Sequence, residues 1–274
     1  MADETPADLR QDYDRDTAYF ELLSMWQNSG RFARRVKPLV RCLRSCLSSG
    51  SVCLDAGCAA GAMAIELAKA GVKRVDAVDF SSTALRFAEE NARRHRVADR
   101  IRFFQGNVER LEAVPEKTYD VVVAADVIEH LTRPQAFVAE MWRVCRPGGH
   151  LLVETPNTLF RQHPWYSRIA ACCQRLGMPD SRYVFPVDLK QDWGHYHVSL
   201  MSWPELGNMF KSAGWQVVRE IGFGWWLRFG AADNVMNVLC RSGSLVKPAL
   251  RYYASTDVVI IARKPESVES SEPV

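Results

Sequence analysis

Short apolar segments alternate with amphipathic ones through most of this 274-residue chain, and no other feature constrains the fold as strongly. The apolar segments predict strands at 52–54, 75–79, 101–105, 119–125, 150–154, 215–221 and 257–262. The amphipathic segments predict helices at 62–70, 82–95, 134–145, 202–212 and 232–239. Because such alternation is typical of a parallel sheet with helices on both faces, we predict a doubly wound α/β fold.

The chain divides into parts of different composition around this core. Residues 1–50 are mostly polar with a few apolar side chains on one helical face, which predicts an N-terminal helical cap. Residues 51–264 form the main domain. Within it, residues 156–200 interrupt the alternation with prolines, aromatic residues and histidines, as inserted lids and substrate-contacting segments do. Residues 265–274, rich in serine and glutamate, predict a disordered tail.

Charge and cysteine usage narrow the class of protein. The formal net charge of +3 is small for this length, so we expect no nucleic-acid partner. The N-terminus leads into no apolar run and no segment is apolar enough to span a bilayer, so we expect a cytoplasmic protein. Residues 163–176 could touch a membrane, but such a segment more often packs on its own protein.

The eight cysteines lack metal-binding or disulfide spacing, which predicts free thiols.

A loop rich in small residues, 55–61 (DAGCAAG), follows the first predicted strand. Its small side chains let the backbone approach a ligand closely, and the next helix exposes its first backbone amides to that ligand. Asp79 ends the second strand at the spacing at which an acidic side chain binds ribose hydroxyls in nucleotide-binding units. Asp79 could instead cap the helix that begins after Ser81. The loop and Asp79 together predict a ligand that contains a nucleoside.

The charge of Asp55 discriminates between two such ligands. A carboxylate at the end of the first strand would repel the pyrophosphate of a dinucleotide, whereas it would attract the ammonium group of S-adenosylmethionine. We therefore predict S-adenosylmethionine as the cofactor.

Further motifs, in the same order along the chain, resemble those of class I S-adenosylmethionine-dependent methyltransferases. They are the fourth-strand segment 119–131 (YDVVVAADVIEHL) and the segment 146–149 (RPGG) before the fifth strand. The stretch 52–155 as a whole resembles the core of that superfamily and is nearest to the ubiquinone-biosynthesis O-methyltransferase-like enzymes that act on small molecules. The resemblance implies a Rossmann-like sheet of seven strands, the last of them inserted antiparallel.

The resemblance also implies which residues bind the cofactor. They are Asp55, Gly57 and Gly61 around the methionyl group with Cys58 and Ala59 in the same loop, Asp79 on the ribose, Phe80, Asn107 and Val108 at the adenine, and Asp126 towards the acceptor. Ala59 and Asn107 depart from the family, which usually has glycine and often aspartate there. Because alanine adds only a methyl group and asparagine can still form hydrogen bonds, we expect a working site with altered affinity.

Two histidines are candidate catalytic bases. The segment 192–197 (DWGHYH) resembles the substrate-side segment of the family, and imidazole changes protonation near neutral pH. His195 or His197 could therefore take a proton from an acceptor hydroxyl, although both could simply brace their loop by hydrogen bonds. The aromatic cluster within 223–229 could wall an apolar acceptor pocket or pack the last strands.

A metal site is the weaker interpretation of the segment 126–130. Asp126, Glu129 and His130 are residue types that can hold a divalent cation. A Glu-His pair at this place more often packs the following turn, so we predict no metal.

The sequence thus predicts an enzyme that transfers a methyl group from S-adenosylmethionine to a small-molecule acceptor, most simply to its hydroxyl. One alternative is an RNA or protein methyltransferase, for which the arginines between residues 93 and 102 would supply a basic surface. Another is a protein that binds the cofactor without catalysis, as the departures at Ala59 and Asn107 suggest. The sequence carries no signal for the oligomeric state.

Overall fold

The structure is a computed structural model that describes residue 21 and residues 31–158, 198–225 and 255–266. The helices in these ranges are α1 (Arg31–Cys42), α2 (Ala62–Lys69), α3 (Ser82–Arg94), α4 (Pro134–Val144) and α5 (Trp203–Ser212). The strands are β1 (Val52–Ala56), β2 (Arg74–Asp79), β3 (Ile101–Gln105), β4 (Tyr119–Ala125), β5 (Cys145–Pro156), β6 (Gln216–Trp225) and β7 (Ser255–Arg263). Two single turns of 3₁₀ helix, Ala98–Arg100 and Ile128–His130, lie in the loops before β3 and after β4.

The seven strands form one sheet in the order β3-β2-β1-β4-β5-β7-β6. Strands β1 to β5 pair in parallel, and β7 runs antiparallel to both of its neighbours, β5 and β6. From the central β1 the chain builds outwards to β2 and β3, and it then returns to the other side for β4 and β5. The predicted Rossmann-like, doubly wound sheet with an antiparallel last strand is confirmed.

Helices cover both faces of the sheet because the central strands are apolar along their whole length. Every residue of β1 is buried, and successive side chains enter opposite cores, Leu54 on one face and Cys53 on the other. The core on the Leu54 face includes Phe137 and Met141 of α4 and Leu206 and Phe210 of α5. The core on the Cys53 face includes Val36 and Leu39 of α1 and Ile65 and Leu67 of α2.

Local capping explains where two of the predicted helices begin and end. The Oγ of Ser81 accepts a hydrogen bond from the backbone N–H of Ala84 at 3.0 Å, so α3 begins at the predicted Ser82. Gly71 has a φ of 89°, the left-handed conformation that glycine adopts most readily, and α2 ends just before it.

Strand β5 begins five residues earlier than its predicted start at residue 150. Cys145 already pairs with Tyr119, whereas His150 pairs with Val121, so residues 146–149 bulge out of the ladder. A Cβ at Gly149 would lie 2.7 Å from the Sγ of Cys145, which explains why only glycine fits inside this bulge. The segment 146–149, which the sequence analysis placed before the fifth strand, is thus built into that strand.

A buried carboxylate links strands β2, β3 and β4 by hydrogen bonds and ion pairs. Asp76 of β2 is fully buried, and its Oδ2 accepts hydrogen bonds from Arg102 of β3 at 2.8 Å and from the hydroxyl of Tyr119 of β4 at 2.9 Å. Arg74 also pairs with this carboxylate at 3.1 Å. A buried charge needs such partners, and these come from three different strands.

Several predicted segments lie wholly or partly outside the described residues. Of the predicted cap 1–50, the structure describes α1 and the turn after it, and α1 packs on α2. Of the predicted insertion 156–200, residues 159–197 lie outside, as do the predicted helix 232–239 and most of the tail 265–274. No helix within the described ranges is both long enough and apolar enough to cross a membrane.

Candidate active site

The predicted site residues meet at the carboxyl ends of the parallel strands. The loops after β1, β2, β4 and β5 all leave the sheet at this edge. Strand β1 lies between β2 and β4, so the chain turns in opposite directions from the two sides of this point. In open α/β sheets, such a switch point forms the crevice in which ligands bind.

The loop after β1 folds into a tight cradle that requires glycine. The N–H groups of Gly57 and Cys58 both donate to the carbonyl of Val78, at 2.8 and 2.9 Å. Gly57 has a φ of 75°, and a Cβ there would lie 2.5 Å from Val127. Gly61 has a φ of 83°, and a Cβ there would lie 3.0 Å from Ala88 of α3. The small residues thus let β1, α3 and the loop after β4 approach one another.

Ala59 occupies the same cradle in a conformation that alanine rarely adopts. Its φ is 43°, in the left-handed region where the family usually has glycine. Its N–H donates to the Oδ2 of Asp79 at 2.8 Å, which joins the loop after β1 to the end of β2. The departure at Ala59 is therefore accommodated with backbone strain rather than by a change of loop shape.

Asp79 lies at the centre of the site and is 4% exposed. One oxygen accepts from Ala59, and the other accepts from the N–H of Ser81 at 2.9 Å. Asp79 thus also supports the start of α3, as the alternative interpretation of this residue expected. Each carboxylate oxygen can accept a second hydrogen bond, so the chemistry of the side chain also suits a ribose hydroxyl.

Asp55 is a buried carboxyl at the end of β1, and it is 2% exposed. Its Oδ2 accepts from the N–H of Ala64 in the first turn of α2 at 2.8 Å. Burial, and secondarily the charge of Asp79, raises the pKa of Asp55 to about 7, while the hydrogen bond from Ala64 opposes this shift. A cationic ligand beside Asp55 would favour the charged form.

Asn107 lies in the loop after β3. The Oδ1 of Asn107 accepts from the N–H of Glu109 at 2.9 Å. Its Nδ2 is buried and has no hydrogen-bond partner in the described part of the chain. The carbonyl of Phe80 accepts from Gln105 at 2.7 Å, and Val108 is 7% exposed.

A second group of acidic residues surrounds the end of β4. Asp126 has a φ of 53° and donates its N–H to the carbonyl of Glu154 at 3.0 Å. Glu129 is completely buried, and its Oε2 accepts from the hydroxyl of Thr155 at 3.0 Å. Burial first, and then the charges of Asp126 and Glu154, raise the pKa of Glu129 well above its usual value.

The end of the predicted insertion 156–200 contacts the backbone around Glu129. The N–H of Ser199 donates to the carbonyl of Glu129 at 2.9 Å, and the Oγ of Ser199 donates to the carbonyl of Leu131 at 2.6 Å. His197 precedes Ser199 by two residues in the sequence. The turn at Glu129 thus holds Ser199 in place.

Two buried polar atoms without a partner in the described ranges lie in these two loops, Nδ2 of Asn107 and Oε1 of Glu129. A buried polar atom left unsatisfied costs about 1–3 kcal/mol. Two such atoms in loops that leave the same edge of the sheet are therefore suited to a polar ligand, one as a donor and the other as a carboxyl group.

The structure brings the predicted cofactor residues together and leaves other predicted residues undescribed. Asp55, the loop 57–61, Asp79, Phe80, Asn107, Val108 and Asp126 all lie at or just beyond the strand ends at this edge of the sheet. His195 and His197 lie outside the described residues, as do Trp226 and Phe229, and the side chains of Phe223 and Trp225 are not described. Within the described ranges, no group of three or more His, Cys, Asp or Glu side chains is placed to hold a metal ion.

The hydrogen bonds of Glu109, Glu129 and Thr155 were not predicted from the sequence. Glu129 was weighed as a metal ligand or as part of a pair that packs the following turn, and Glu109 was not considered. One signal was available, because acidic residues inside or next to otherwise apolar strands are costly to bury without a function or a partner. Their hydrogen bonds join residues far apart in the sequence, which no local pattern could reveal.

Comparison with known proteins agrees with this arrangement. Residues 54–153 match the family model described as a methyltransferase domain. The chain is 34% identical over 145 residues to malonyl-acyl-carrier-protein O-methyltransferase of Halalkalibacterium halodurans, which covers 51% of each protein. It is 33% identical over 179 residues to the mitochondrial ubiquinone biosynthesis O-methyltransferase of Schizosaccharomyces pombe, which covers 65% of this chain and 59% of that relative. The chain spans about half the length of the curated relatives that it matches.

Solved structures share the fold at low sequence identity. A SAM-dependent methyltransferase from Aquifex aeolicus has a TM-score of 0.58 at 15% identity and covers 91% of this chain and 98% of its own. The cyclase SpnF has a TM-score of 0.57 at 16% identity and covers 84% of this chain and 80% of its own.

Proposed function

Because residues 54–153 form a class I S-adenosylmethionine-dependent methyltransferase domain, we propose that this protein transfers the methyl group of S-adenosylmethionine to a small-molecule acceptor. One observation carries the proposal. Two buried carboxyl groups, Asp55 and Asp79, lie on either side of a glycine-containing cradle at the switch point of the sheet. A nucleoside that bears an ammonium group matches both of them.

Each part of the cofactor has a candidate partner. Asp55, whose pKa is raised to about 7, gains a favourable charge interaction from the ammonium of the methionyl group. Asp79 accepts from the ribose hydroxyls, and the residues 80, 107 and 108 contact the adenine. Gly57 and Gly61 keep the loop in its cradle shape beside the methionyl chain, because a Cβ at either position would crowd Val127 or Ala88 and displace the loop.

S-adenosylmethionine supplies an electrophilic methyl group bound to a sulfonium. The protein contributes the position of the acceptor and the exclusion of water around it. A base is needed only where the acceptor must lose a proton, and His195 or His197 takes that proton from the acceptor oxygen. The buried Glu129, whose pKa is raised chiefly by burial, orients the acceptor or the turn that contacts Ser199.

The acceptor that we favour is a hydroxyl group of a small molecule. Relatives named for ubiquinone biosynthesis and for malonyl-acyl-carrier-protein O-methylation support transfer to oxygen. We place the reaction in the cytoplasm, where the free thiols of the five described cysteines are expected to stay reduced. The proposal requires neither a nucleic-acid partner nor contact with a membrane.

The macromolecular alternative rests on the arginines between residues 93 and 102. The arginines that suggested a basic surface are, however, partly neutralised. Arg93 and Arg94 pair with acidic residues of α3, at 3.0 and 3.5 Å, and Arg102 pairs with the buried Asp76. The observations therefore favour a small acceptor.

A protein that binds the cofactor without methyl transfer is the second alternative. SpnF, a cyclase by its name, shares the fold, and one scaffold hosts many reactions. Ala59 would favour this alternative if its strained conformation prevented the cofactor loop from forming. The loop is formed in spite of that strain, so Ala59 does not favour the alternative.

The test is transfer of a radiolabelled methyl group from S-adenosylmethionine to phenols, catechols and carboxylic acids, with bulk RNA and protein as competing acceptors. We expect label in a small hydroxyl compound, a loss of about 100-fold or more in the variants His195→Ala or His197→Ala, and no such loss in the exposed control Asp99→Asn. Label in RNA or protein alone would reject the small-molecule acceptor. Binding of S-adenosylmethionine without any labelled product would support the non-catalytic alternative.

A further inference from the structure

Glu109, in the loop after β3, is a buried carboxylate that the proposed reaction does not use. Its side chain is 3% exposed, whereas that of its partner Arg133 is 57% exposed. Oε1 accepts from the backbone N–H of Arg133 at 2.7 Å, and Oε2 accepts from the guanidinium of the same residue at 3.2 and 3.3 Å. A single buried side chain is thus held by three hydrogen bonds.

These bonds attach the loop after β3 to helix α4. Arg133 is the residue immediately before α4, and its own side chain does not cap the helix. Glu109 therefore brings a negative charge to the N-terminus of α4, where the helix dipole favours it. A second attachment follows, because Glu140 of α4 accepts from the N–H of Leu111 at 2.7 Å. The loop cannot shift relative to α4 without breaking both attachments.

The fixed backbone of Glu109 determines the orientation of the Asn107 amide. The N–H of Glu109 is a donor, so the atom of Asn107 that faces it at 2.9 Å must be the carbonyl oxygen. The amide nitrogen then points to the opposite side, where it is buried and has no partner in the described part of the chain. The atom of Asn107 that has no partner among the described residues is therefore a hydrogen-bond donor.

We propose that Glu109 is a positioning residue that holds Asn107 as a hydrogen-bond donor to a ring nitrogen of the cofactor's adenine. This inference rests on the proposed function. Adenine offers acceptor atoms at its ring nitrogens and donor hydrogens at its amino group. An aspartate at this position would accept from the amino group, whereas the unpartnered amide nitrogen of Asn107, oriented by Glu109, donates to a ring nitrogen. In the first arrangement the protein side chain accepts a hydrogen bond from adenine, and in the second it donates one to adenine.

The first experiment compares wild type with Asn107→Asp by calorimetric titration with S-adenosylhomocysteine. The aspartate still accepts from Glu109, but it presents a negatively charged oxygen to the lone pair of the ring nitrogen. We expect binding about tenfold weaker or worse in the variant. Equal or tighter binding by Asn107→Asp would overturn the inference and would leave the proposed function intact. Absence of binding by folded wild-type protein would overturn both.

The second experiment tests Glu109 itself with the 1-deaza, 3-deaza and 7-deaza analogues of S-adenosylhomocysteine. In wild type, the analogue that lacks the accepting nitrogen should bind about fivefold or more weakly than the parent compound. This penalty should shrink to less than about twofold in Asn107→Asp and in Glu109→Gln. A ratio of two Kd values within one variant does not depend on the folded fraction, so a destabilised variant remains informative.

Glu112→Gln is the matched control, because Glu112 lies in the same loop but is 69% exposed and pairs only with the exposed Arg110 among the described ion pairs. It should keep the wild-type penalty. A penalty that persists in Glu109→Gln, or that no analogue shows in wild type, would contradict the positioning role.

Discussion

At the scale of single residues, Ala59 is the position where this chain deviates from what its loop favours. The φ of 43° is unfavourable for alanine because its Cβ crowds the following carbonyl, and glycine avoids this strain. The chain keeps the conformation because the N–H of Ala59 donates to the buried Asp79. The loop thus stores strain at the candidate cofactor site.

Ala59→Gly should therefore stabilise the folded protein. Relief of the left-handed strain outweighs the greater backbone entropy of glycine in the unfolded chain, and we expect a gain of about 0.5–1 kcal/mol in the free energy of unfolding. The measurement is equilibrium unfolding in urea. Ala139→Gly is the control, since Ala139 is exposed in the middle of α4 and the same change should cost about 1 kcal/mol there. Destabilisation by both substitutions would contradict the strain at residue 59.

At the scale of elements, the junction of β1 and α2 carries a group that titrates near neutral pH. Asp55 ends β1 and accepts from the first turn of α2, and its pKa is about 7 in the folded protein against an ordinary value of 3.8. At pH values between these two pKa values, the carboxyl group of Asp55 is ionised in the unfolded chain but still protonated in the folded protein. The contribution of Asp55 to stability therefore falls as the pH rises from about 4 to about 7.

The same junction should release a proton when the cofactor binds. An ammonium group beside Asp55 lowers its pKa, so binding of S-adenosylhomocysteine near pH 6.5 should release a proton and should tighten as the pH rises towards 7. Calorimetry in two buffers of different ionisation enthalpy detects that proton. We expect a buffer-dependent binding enthalpy for wild type and for the exposed control Asp99→Asn, but not for Asp55→Asn. Equal buffer dependence in Asp55→Asn would assign the proton to another group.

At the scale of the whole molecule, the sequence predicted the sheet well because its information is local. Periodicity and capping residues such as Ser81 mark strands and helices one at a time, and parallel pairing follows from their alternation. The bulge at the start of β5 was not predictable in this way, because it depends on pairing of Cys145 with Tyr119, which is distant in the sequence.

The residues of the candidate site also fall into two groups, those marked by a local sequence motif and those that depend on contacts with distant residues. The glycine loop and Asp79 were found because the signal is a short motif at a fixed spacing. Glu109 and Glu129 were not, because their roles arise from hydrogen bonds to Arg133 and Thr155 in other loops. The roles of His195 and His197 stay predictions, and so do the cap and the lid as domains.

The central claim, that this chain binds S-adenosylmethionine at the switch point of its sheet, is tested most directly by calorimetric titration of the full chain with S-adenosylhomocysteine. We expect saturable binding at one site, weakened about tenfold or more by Asp79→Asn and unchanged within about twofold by Asp99→Asn. Folded wild-type protein that binds no ligand, or an Asp79→Asn variant that binds as tightly as wild type, would contradict the account.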